Sequence, residues 1–508
     1  MTGTDRAGYR SRVAVQESEV KIEIPGSTAL DGLDRLPGVS RVRRRTPVRL
    51  VATYFDSPGL RLARVGVTLR RRTGGKDAGW HLKLPGGKKT DRFEVRAEDT
   101  GSDGEVPRRL LEVLTAHRGS EELTPVARVR TERTAYQLLA DDGTVLVEVA
   151  DDRVSGQRLP DGDEVTWREV EVELAEGDEH LLDVARRRLS QLDGATEAGP
   201  AKLFRTLGEV PRATGLTEPR DPGQPTATLV QARIGQLVDE LRHWDPLVRE
   251  RLPGGVHQVR KAVRRLRDGL ATARPFLQKA EVVAVRDELK WLSHEMGAAR
   301  DAEVQEGRLR HNLEDLGTSS SQPLDELGRI SSDAQREARD ALTTDRYLAL
   351  LARLDDLAAS PPWRDRSAKP IEDAYLPRVE RDWKRLAKRM RAARDADDPT
   401  ARADALHECR KATKRFRYAV EPLVPMVGQP AKGSLKDAKR LQQLLGEHHD
   451  AVLARRTVQR LAADAAPAES FALGTVHERE FGRLTALEAD VHKAWKKANR
   501  QRRRRWFG

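Results

Sequence analysis

The 508-residue chain contains a single cysteine, Cys409, so no internal disulfide can brace it. A lone thiol suits a reducing compartment, and a cytoplasmic protein is the expectation. Aromatic residues make up only 4% of the chain. Its cores must therefore be built mainly from aliphatic side chains, and platforms for base stacking are scarce. No run of about 18 apolar residues occurs, so no membrane-spanning helix and no membrane partner are expected. The first residues, MTGTDRAGYRSRVAVQ, lack the apolar stretch of a signal peptide. What the chain does have is charge. There are 92 Lys+Arg against 80 Asp+Glu, a net of +12. The excess is uneven: residues 1–210 carry −1 and residues 211–508 carry +13. A surplus confined to one part favours a polyanionic partner there, such as nucleic acid, an acidic surface or a phosphate polymer.

The length fits two or three domains. From about Val13 to Phe204 the hydrophobic pattern has period two, in short runs split by Gly, Asp and Pro. Strands are expected at Glu17–Ile24, Arg49–Asp56, Gly66–Arg72, Trp80–Leu84, Arg92–Ala97, Val126–Leu138, Thr144–Val149 and Val165–Leu174. Helical patterns interrupt them near Leu30–Leu36 and Glu179–Leu192. Some eight strands of mainly antiparallel spacing predict a barrel or strongly curved sheet. Residues 208–228 read as a linker rich in Pro, Gly and Thr. Beyond it the period becomes 3.6, in amphipathic segments at Leu229–Leu241, Val256–Leu277, Glu281–Arg300, Ala302–Leu316, Tyr375–Arg394, Arg402–Pro422, Leu435–Arg460 and Phe471–Arg500. The expectation is α+β overall: a β-barrel or tunnel at 13–207, a linker at 208–228, and an all-α bundle at 229–500. A basic tail at 501–508 reads as a solvated terminus.

One stretch of the helical part is written twice. His257-Gln-Val-Arg260-Lys261-Ala-Val-Arg264-Arg265-Leu-Arg267 returns 150 residues later as His407-Glu-Cys-Arg410-Lys411-Ala-Thr-Lys414-Arg415-Phe-Arg417. On a helix, His257, Arg260, Lys261, Arg264 and Arg267 share one face, as do His407, Arg410, Lys411, Lys414 and Arg417. Like charges at that spacing repel by a few tenths of a kcal/mol per pair. Two helices that carry this cost are built to meet an anion. The repeat continues through Leu289-Lys290 and Ala438-Lys439, then through Gly297…Asp301 and Gly446…Asp450. This gives an internal twofold repeat with halves at about 229–316 and 375–460. The histidines do not read as metal ligands, because the flanking cations repel a divalent ion and His448-His449 are adjacent rather than one helical turn apart.

In the strand region the polar positions of the alternation are charged. Glu17, Glu19, Lys21 and Glu23 share one strand face, and Glu169, Glu171 and Glu173 share another. Arg70 and Arg72, Lys83, and Arg128 with Arg130 recur in the same way, and Glu148 adds an acid. Three glutamates on one strand face repel one another, which is poor design for a merely solvated surface. A charged barrel interior accounts for all of them. Carboxylates are the ligands that Mg²⁺ or Mn²⁺ prefers, and Arg and Lys are the partners of phosphate oxygens.

Glu17-x-Glu19-x-Lys21 resembles the ExExK signature of CYTH domains, the triphosphate tunnel metalloenzymes. Further elements follow in order: Tyr54-Phe55-Asp56, Leu69-Arg70-Arg71-Arg72, Trp80-His-Leu-Lys83, the Arg128–Arg133 strand, Glu148 to Asp152, Glu169-x-Glu171-x-Glu173 and Lys202. The resemblance implies a strand tunnel in which basic residues bind a triphosphate and glutamates hold a divalent metal. Carried across residue by residue, Glu17, Glu19, Glu169, Glu171 and Glu173 would hold Mg²⁺ or Mn²⁺. Lys21, Arg70, Arg72, Lys83, Arg128, Arg130 and Lys202 would clamp phosphates. Lys21, Glu17 and Glu19 would act in the chemistry, with Lys21 either protonating or polarising the leaving phosphate. Two positions depart from the family pattern. Ala201 stands where a serine usually precedes the lysine, and Ala150 stands where many members place an acid, so that Asp151 or Asp152 would serve instead.

The duplicated helices resemble CHAD domains, which commonly follow CYTH domains and are associated with inorganic polyphosphate. The resemblance covers about residues 222–500. It assigns polyphosphate binding to His257, Arg260, Lys261, Arg264, Arg267, His407, Arg410, Lys411, Lys414, Arg417 and Lys439. The expected function is metal-dependent hydrolysis of inorganic triphosphate or a related triphosphate, coupled to polyphosphate binding, with polyphosphate granules as a docking place. The alternatives are a binding protein with an inactive tunnel, an adenylate cyclase, and a nucleic-acid-binding protein. Only Phe416, Tyr418 and Trp291 lie near the basic faces to stack on bases.

Overall fold

The computed structural model describes residues 9–12, 19–85, 92–98, 104–197, 199–210, 221–252, 254–314, 322–463 and 467–507. The chain divides into two compact units, Met1–Ala213 and Thr214–Gly508.

The first unit is built on an antiparallel sheet. Its strands are β1 (Tyr9–Arg12), β2 (Glu19–Glu23), β3 (Arg41–Arg44), β4 (Val48–Asp56), β5 (Thr68–Thr73), β6 (Gly79–Pro85), β7 (Arg92–Ala97), β8 (Thr124–Leu139), β9 (Val145–Arg158), β10 (Glu164–Leu174) and β11 (Thr196–Glu197). The hydrogen-bonded order is β1-β7-β6-β5-β4-β8-β9-β10-β2-β11, with β3 also on β8. The eight expected strands are present among these, with shifted ends. β9 runs nine residues past the expected end at Val149. Its Asp151-Asp152 pair looks like a turn in sequence, yet both carboxylates find arginines within the sheet. β3 carries only Val42 as an apolar residue and gives no alternation to read. The helix expected near Leu30–Leu36 is a single 3₁₀ turn at Leu33–Arg35.

Alternation sends the two strand faces to different environments. One face carries Ile22, Val147, Val149, Val170 and Val172, buried beneath helix α1 (Glu179–Leu189) through Leu181, Ala185 and Leu189. Asp178 caps that helix by accepting from the Leu181 amide at 2.8 Å. The other face carries the charges, and at one end it meets a short helix, α2 (Lys202–Leu207). Leu203 and Leu207 of α2 pack on Ala52, Tyr54, Val129, Val154 and Trp167. The approach is close at Gly156, where a Cβ would lie 2.2 Å from Thr206 Oγ1. Only glycine permits α2 to sit there.

The second unit is helical. Its main helices are α3 (Thr226–Arg249), α4 (Gly255–Ala273), α5 (Lys279–Glu314), α6 (Gln322–Ala341), α7 (Asp345–Ala359), α8 (Leu376–Arg394), α9 (Pro399–Val420), α10 (Gln429–Ala463) and α11 (Pro467–Ala498). The segments expected at Glu281–Arg300 and Ala302–Leu316 are one continuous helix, α5. The two basic stretches fall on α4 and α9, which pack against each other. Each is followed by a long helix, α5 or α10, so the repeat seen in sequence is a repeat of elements.

Residues 501–507 are not a free tail. Arg503 pairs with Asp437 at 2.8 Å, and the Trp506 indole donates to Ser434 Oγ at 2.9 Å. Phe507 is buried, with its ring 5.7 Å from Phe416 and 6.2 Å from Trp383. The expectation of a solvated basic terminus overlooked these two aromatics. Phe507→Ala should cost the helical unit about 3 kcal/mol, the usual scale for truncating a buried phenylalanine. Denaturant titration followed by helical circular dichroism measures it, and an unchanged midpoint would mean that the segment is not part of the core.

Candidate functional site

In the sheet unit, cross-strand register assembles one charged face. Glu169 of β10 lies opposite Glu23 of β2 and Asp152 of β9, while Glu171 lies opposite Lys21 and Ala150. Asp152 in turn lies opposite Arg133 of β8. Further along the same face, Tyr54 of β4 is opposite Arg70 of β5, and Ala52 is opposite Arg72. Lys83 of β6 follows, opposite Thr68 and Glu94. Acids on β9 and β10 thus share one surface with cations on β2, β5, β6 and β8.

The acids form a compact group. Ligand atoms from Asp152, Glu169 and Glu171 lie within 4.8 Å of one another, and all three residues are buried. Such a set of hard oxygens fits a divalent cation of the Mg²⁺ or Mn²⁺ type. Here they are neutralised by side chains. Lys202 Nζ lies 2.8 Å from Asp152, 2.7 Å from Glu169 and 2.8 Å from Glu171. Arg133 makes a fork onto Asp152, with both bonds at 2.7 Å, and reaches Glu171 at 2.6 Å. Lys21 stands 3.0 Å from Glu171. Burial opposes ionisation of Glu171, but Lys202, Lys21 and Arg133 outweigh it and hold the carboxyl far below its usual range. Burial likewise opposes the charge on Lys202, and Glu171, Asp152 and Glu169 override it and raise its pKa.

The cations beyond this group are less well matched. The buried Nε atoms of Arg70 and Arg72 have no hydrogen-bond partner among the described residues. Burial, then Arg70 and Arg133, lower the pKa of Arg72. Among the described residues their other nitrogens make only long contacts, Arg70 to the Tyr54 hydroxyl at 3.5 Å and Arg72 to Asp77 at 3.8 Å, and two such mutually repelling guanidinium groups fit an anion with several oxygens.

The helical unit has a second unbalanced cluster where α4 meets α9. Lys414 is buried, and its pKa falls to about 6 through burial, then Arg264 and Arg410, with Arg260 adding to them against the attraction of Asp268. Arg264 and Arg410 each bury an Nε without a partner among the described residues. Arg260 reaches Asp301 at 2.7 Å. His407 and His449 meet through their Nδ1 atoms at 3.2 Å. Burial, then Arg410 and His407, push His449 down to about 3, so that ring is neutral near pH 7.

Family models match in both units: a CYTH domain at residues 16–203 and a CHAD domain at residues 232–459. A Mycobacterium tuberculosis protein (strain CDC 1551 / Oshkosh), named only as uncharacterised, is 34% identical over 489 residues. The match covers 91% of this chain and 92% of that one. The chain belongs to the CYTH–CHAD family. Among solved structures it is similar to PptA from Streptomyces chartreusis, at 22% identity and a TM-score of 0.45, covering 54% of this chain and 100% of that one. It is also similar to the CHAD domain from the plant Ricinus communis, at 28% identity and a TM-score of 0.44, covering 55% and 95%. A third similarity is to a Hippeastrum protein named for adenylyl cyclase and described as having a dominant triphosphatase activity. There the identity is 19% and the TM-score 0.26, covering 38% and 98%.

Within the CYTH unit the expected site residues separate into groups. Lys21, Arg70, Arg72, Lys83, Glu169, Glu171 and Lys202 share the charged face or point into it. Glu173 is on that face but exposed, opposite Glu148 and Glu19. Glu17 lies outside the described residues. Arg128 and Arg130 are a correction. They have the opposite parity on β8 to Arg133 and face away from the acids, and Arg130 lies 3.5 Å from Glu164 on that outer side. On β8 it is Arg133 that faces the acids, paired with Asp152 and Glu171. Sequence reasoning also left Asp151 and Asp152 open. Asp152 faces the site, whereas Asp151 is held on the outer face by Arg168 at 2.8 and 2.9 Å. Alternation carried on from Glu148 would have separated the two.

Within the CHAD unit, Arg260, Arg264, Arg410 and Lys414 come together. Lys261 lies 3.4 Å from Gln258, Lys411 pairs with Glu408 at 2.7 Å, and Lys439 is exposed on α10. Arg267 is half-buried beside Asp268, and His257 lies on α4 at the start of the basic row. Arg417 is directed elsewhere. It lies 3.7 Å from Glu421 and over the Tyr418 ring at 4.3 Å, in a buried network with Arg233 and Arg265.

Because Lys202 lies among all three carboxylates, Lys202→Met should leave them short of countercharge. Stability without divalent ions should fall by about 3 kcal/mol, as for other broken buried ion groups. Added Mn²⁺ should raise the melting temperature of this variant more than that of the unaltered chain. Equal shifts in the two proteins would show that the carboxylates do not bind the ion.

Proposed function

We propose that the CYTH unit hydrolyses a linear triphosphate with the help of a divalent metal, and that the CHAD unit binds inorganic polyphosphate. One observation carries the first half. A buried three-carboxylate group and two guanidinium groups whose Nε atoms lack a partner among the described residues, those of Arg70 and Arg72, share one face of the sheet, so that candidate metal ligands and candidate phosphate ligands adjoin. Asp152, Glu169 and Glu171 are the residues that would hold Mg²⁺ or Mn²⁺. When bound, such an ion supplies charge neutralisation on phosphate oxygens and lowers the pKa of a coordinated water.

The chain's own residues do the rest. Arg70, Arg72 and Lys83 take phosphate oxygens and orient the chain of phosphates along the face. Arg133 on β8 stands between the carboxylates and that row, and Lys21 on β2 flanks the carboxylates on their other side; both are cations that can meet charge moving onto the leaving phosphate. Lys202 must leave the carboxylates when a metal enters, and its long side chain then becomes free to meet the substrate. The same lysine favours the alternative of a binding-only tunnel, since it already satisfies the acids.

Phosphate release from inorganic triphosphate, thiamine triphosphate and ATP with Mg²⁺ or Mn²⁺ separates the readings. Glu169→Gln with Glu171→Gln should lower kcat/KM at least about 100-fold, as expected when charge stabilisation worth several kcal/mol is lost. Unchanged hydrolysis would sink the catalytic assignment, and absence of hydrolysis in the unaltered chain would leave the binding-only reading.

The CHAD proposal rests on the Arg260, Arg264, Arg410 and Lys414 cluster, which gathers cations without enough acids. Nucleic acid is the poorer fit, because Phe416 and Tyr418 are buried and offer no face for stacking. With its pKa near 6, Lys414 is mostly neutral at pH 7.5 in the free protein. A bound polyanion favours the protonated form, so binding takes up a proton and affinity falls as pH rises above about 6. Calorimetry in buffers of different ionisation enthalpy should register that uptake at pH 7.5. Lys414→Met should abolish it and weaken binding about tenfold, the scale for one charged contact. Equal proton uptake in the variant would remove Lys414 from the site.

A further inference from the structure

A cavity of about 340 Å³ lies between α8, α9 and α11 of the CHAD unit, and no residue of the proposed polyphosphate site lines it. Its floor is apolar: Met390, Ala393, Leu406 and Val491 are all buried there. One wall is Trp495, whose indole is fixed by stacking on Trp383 with centroids 5.2 Å apart and planes at 24°. The rim has a different chemistry. Arg391, Arg394, Arg402 and Lys496 stand around it with one lining carboxylate, Glu488, and Arg394 is paired with Asp395 at 2.8 Å. Arg402 is held in place by the Ala396 carbonyl at 2.9 and 3.1 Å, and it reaches Glu488 only at 3.5 Å. Arg391 and Lys496 have no hydrogen-bond or ion-pair partner among the described residues.

We propose that this cavity binds a small amphipathic anion, with its apolar body on Trp495 and Leu406 and one phosphate or carboxylate at Arg402, Arg391 and Lys496. The size is at the lower end of small-molecule pockets, which run from about 300 to 1,000 Å³. A fixed aromatic wall and a preformed guanidinium reduce the ordering cost of binding. Four cations against two acids, Glu488 and Asp395, leave the rim positive and select a negative group. The apolar floor selects against inorganic phosphate chains, which have nothing to bury on it.

The test uses the full chain and three probes. AMP offers a flat ring with a phosphate, octyl phosphate an acyclic chain with a phosphate, and octanoate the same kind of chain with a carboxylate. Tryptophan fluorescence and calorimetry should give one-site saturation by at least one probe, with Kd on the order of 100 μM. The probe that binds identifies both the body and the head group. Leu406→Trp fills the cavity and should weaken that binding more than tenfold. Arg391→Gln with Lys496→Gln changes only exposed side chains, so folding is not at risk, and should weaken it about tenfold, as for two lost charge-assisted contacts. No saturation by any of the three probes at about 1 mM, the limit of millimolar affinity, would overturn the proposal. Undiminished binding in both variants would do the same.

Discussion

Charge inside a protein is costly unless countercharge reaches it, and in the CYTH unit the one cation among the described residues that reaches all three buried carboxylates is Lys202. Its ammonium sits among Asp152, Glu169 and Glu171, carboxylates that would otherwise repel one another in a buried site. The placement depends on α2, a six-residue helix seated by Leu203 and Leu207 and admitted by Gly156. A small apolar cluster at the end of the sheet therefore sets the electrostatics of its middle. The arrangement also ties metal binding to motion of one side chain. Any ion that took the carboxylates would compete with an amine already satisfied by them, so its affinity would be lower than the ligand set alone would give, and the lysine would have to be released.

The CHAD unit solves the same constraint differently. Its cations at the α4–α9 contact are buried without a matching number of acids, and the strain appears as a depressed pKa at Lys414 and as partnerless Nε atoms on Arg264 and Arg410. In the CYTH unit the acids balance an entering cation as well as they balance Lys202. In the CHAD unit only an anion relieves the imbalance. Arg417 and Arg265 mark a contrast in charge rather than in hydrogen bonding: their Nε atoms also lack a partner among the described residues, but both have Glu421 beside them. Carrying a positive charge on a basic helix is not enough to belong to the under-neutralised cluster. What distinguishes Arg264 from Arg265 is which neighbour the helix turn presents to it.

Much of this was legible in the residues. Period-two runs gave most of the strands, and the repeat at an offset of 150 residues gave the paired helices. The same alternation put Lys21, Arg70, Arg72, Glu169 and Glu171 on charged faces. It failed where parity had to be carried across strands. Arg128 and Arg130 were as good a match in type as Arg133, and only the pairing of Arg133 with Asp152 says which side of β8 looks inward. That pairing spans the long β8–β9 hairpin, and its register is not written in either strand alone. The choice between Asp151 and Asp152 stayed open for a related reason. Two consecutive aspartates read as a turn unless each is seen to have its own arginine, one on each face of the sheet.

The segment at 501–507 makes the same point for packing. Its run of arginines suggests solvent, yet the order of residues matters more than their sum. Arg503 finds Asp437, the Trp506 indole finds Ser434, and Phe507 enters the cluster of Trp383 and Phe416. Trp383 has Trp495 stacked on it and Phe507 close by, so the basic segment and the wall of the 340 Å³ cavity share one aromatic support. In a chain with only 4% aromatic residues, concentrating five of them here is a decision about rigidity. It fixes α8, α9 and α11 against one another, and α9 is the helix that presents His407, Arg410 and Lys414. The cations of the α4–α9 cluster can repel one another without moving apart because α9 is anchored through Phe416, which meets Trp383 and Phe507 edge-on.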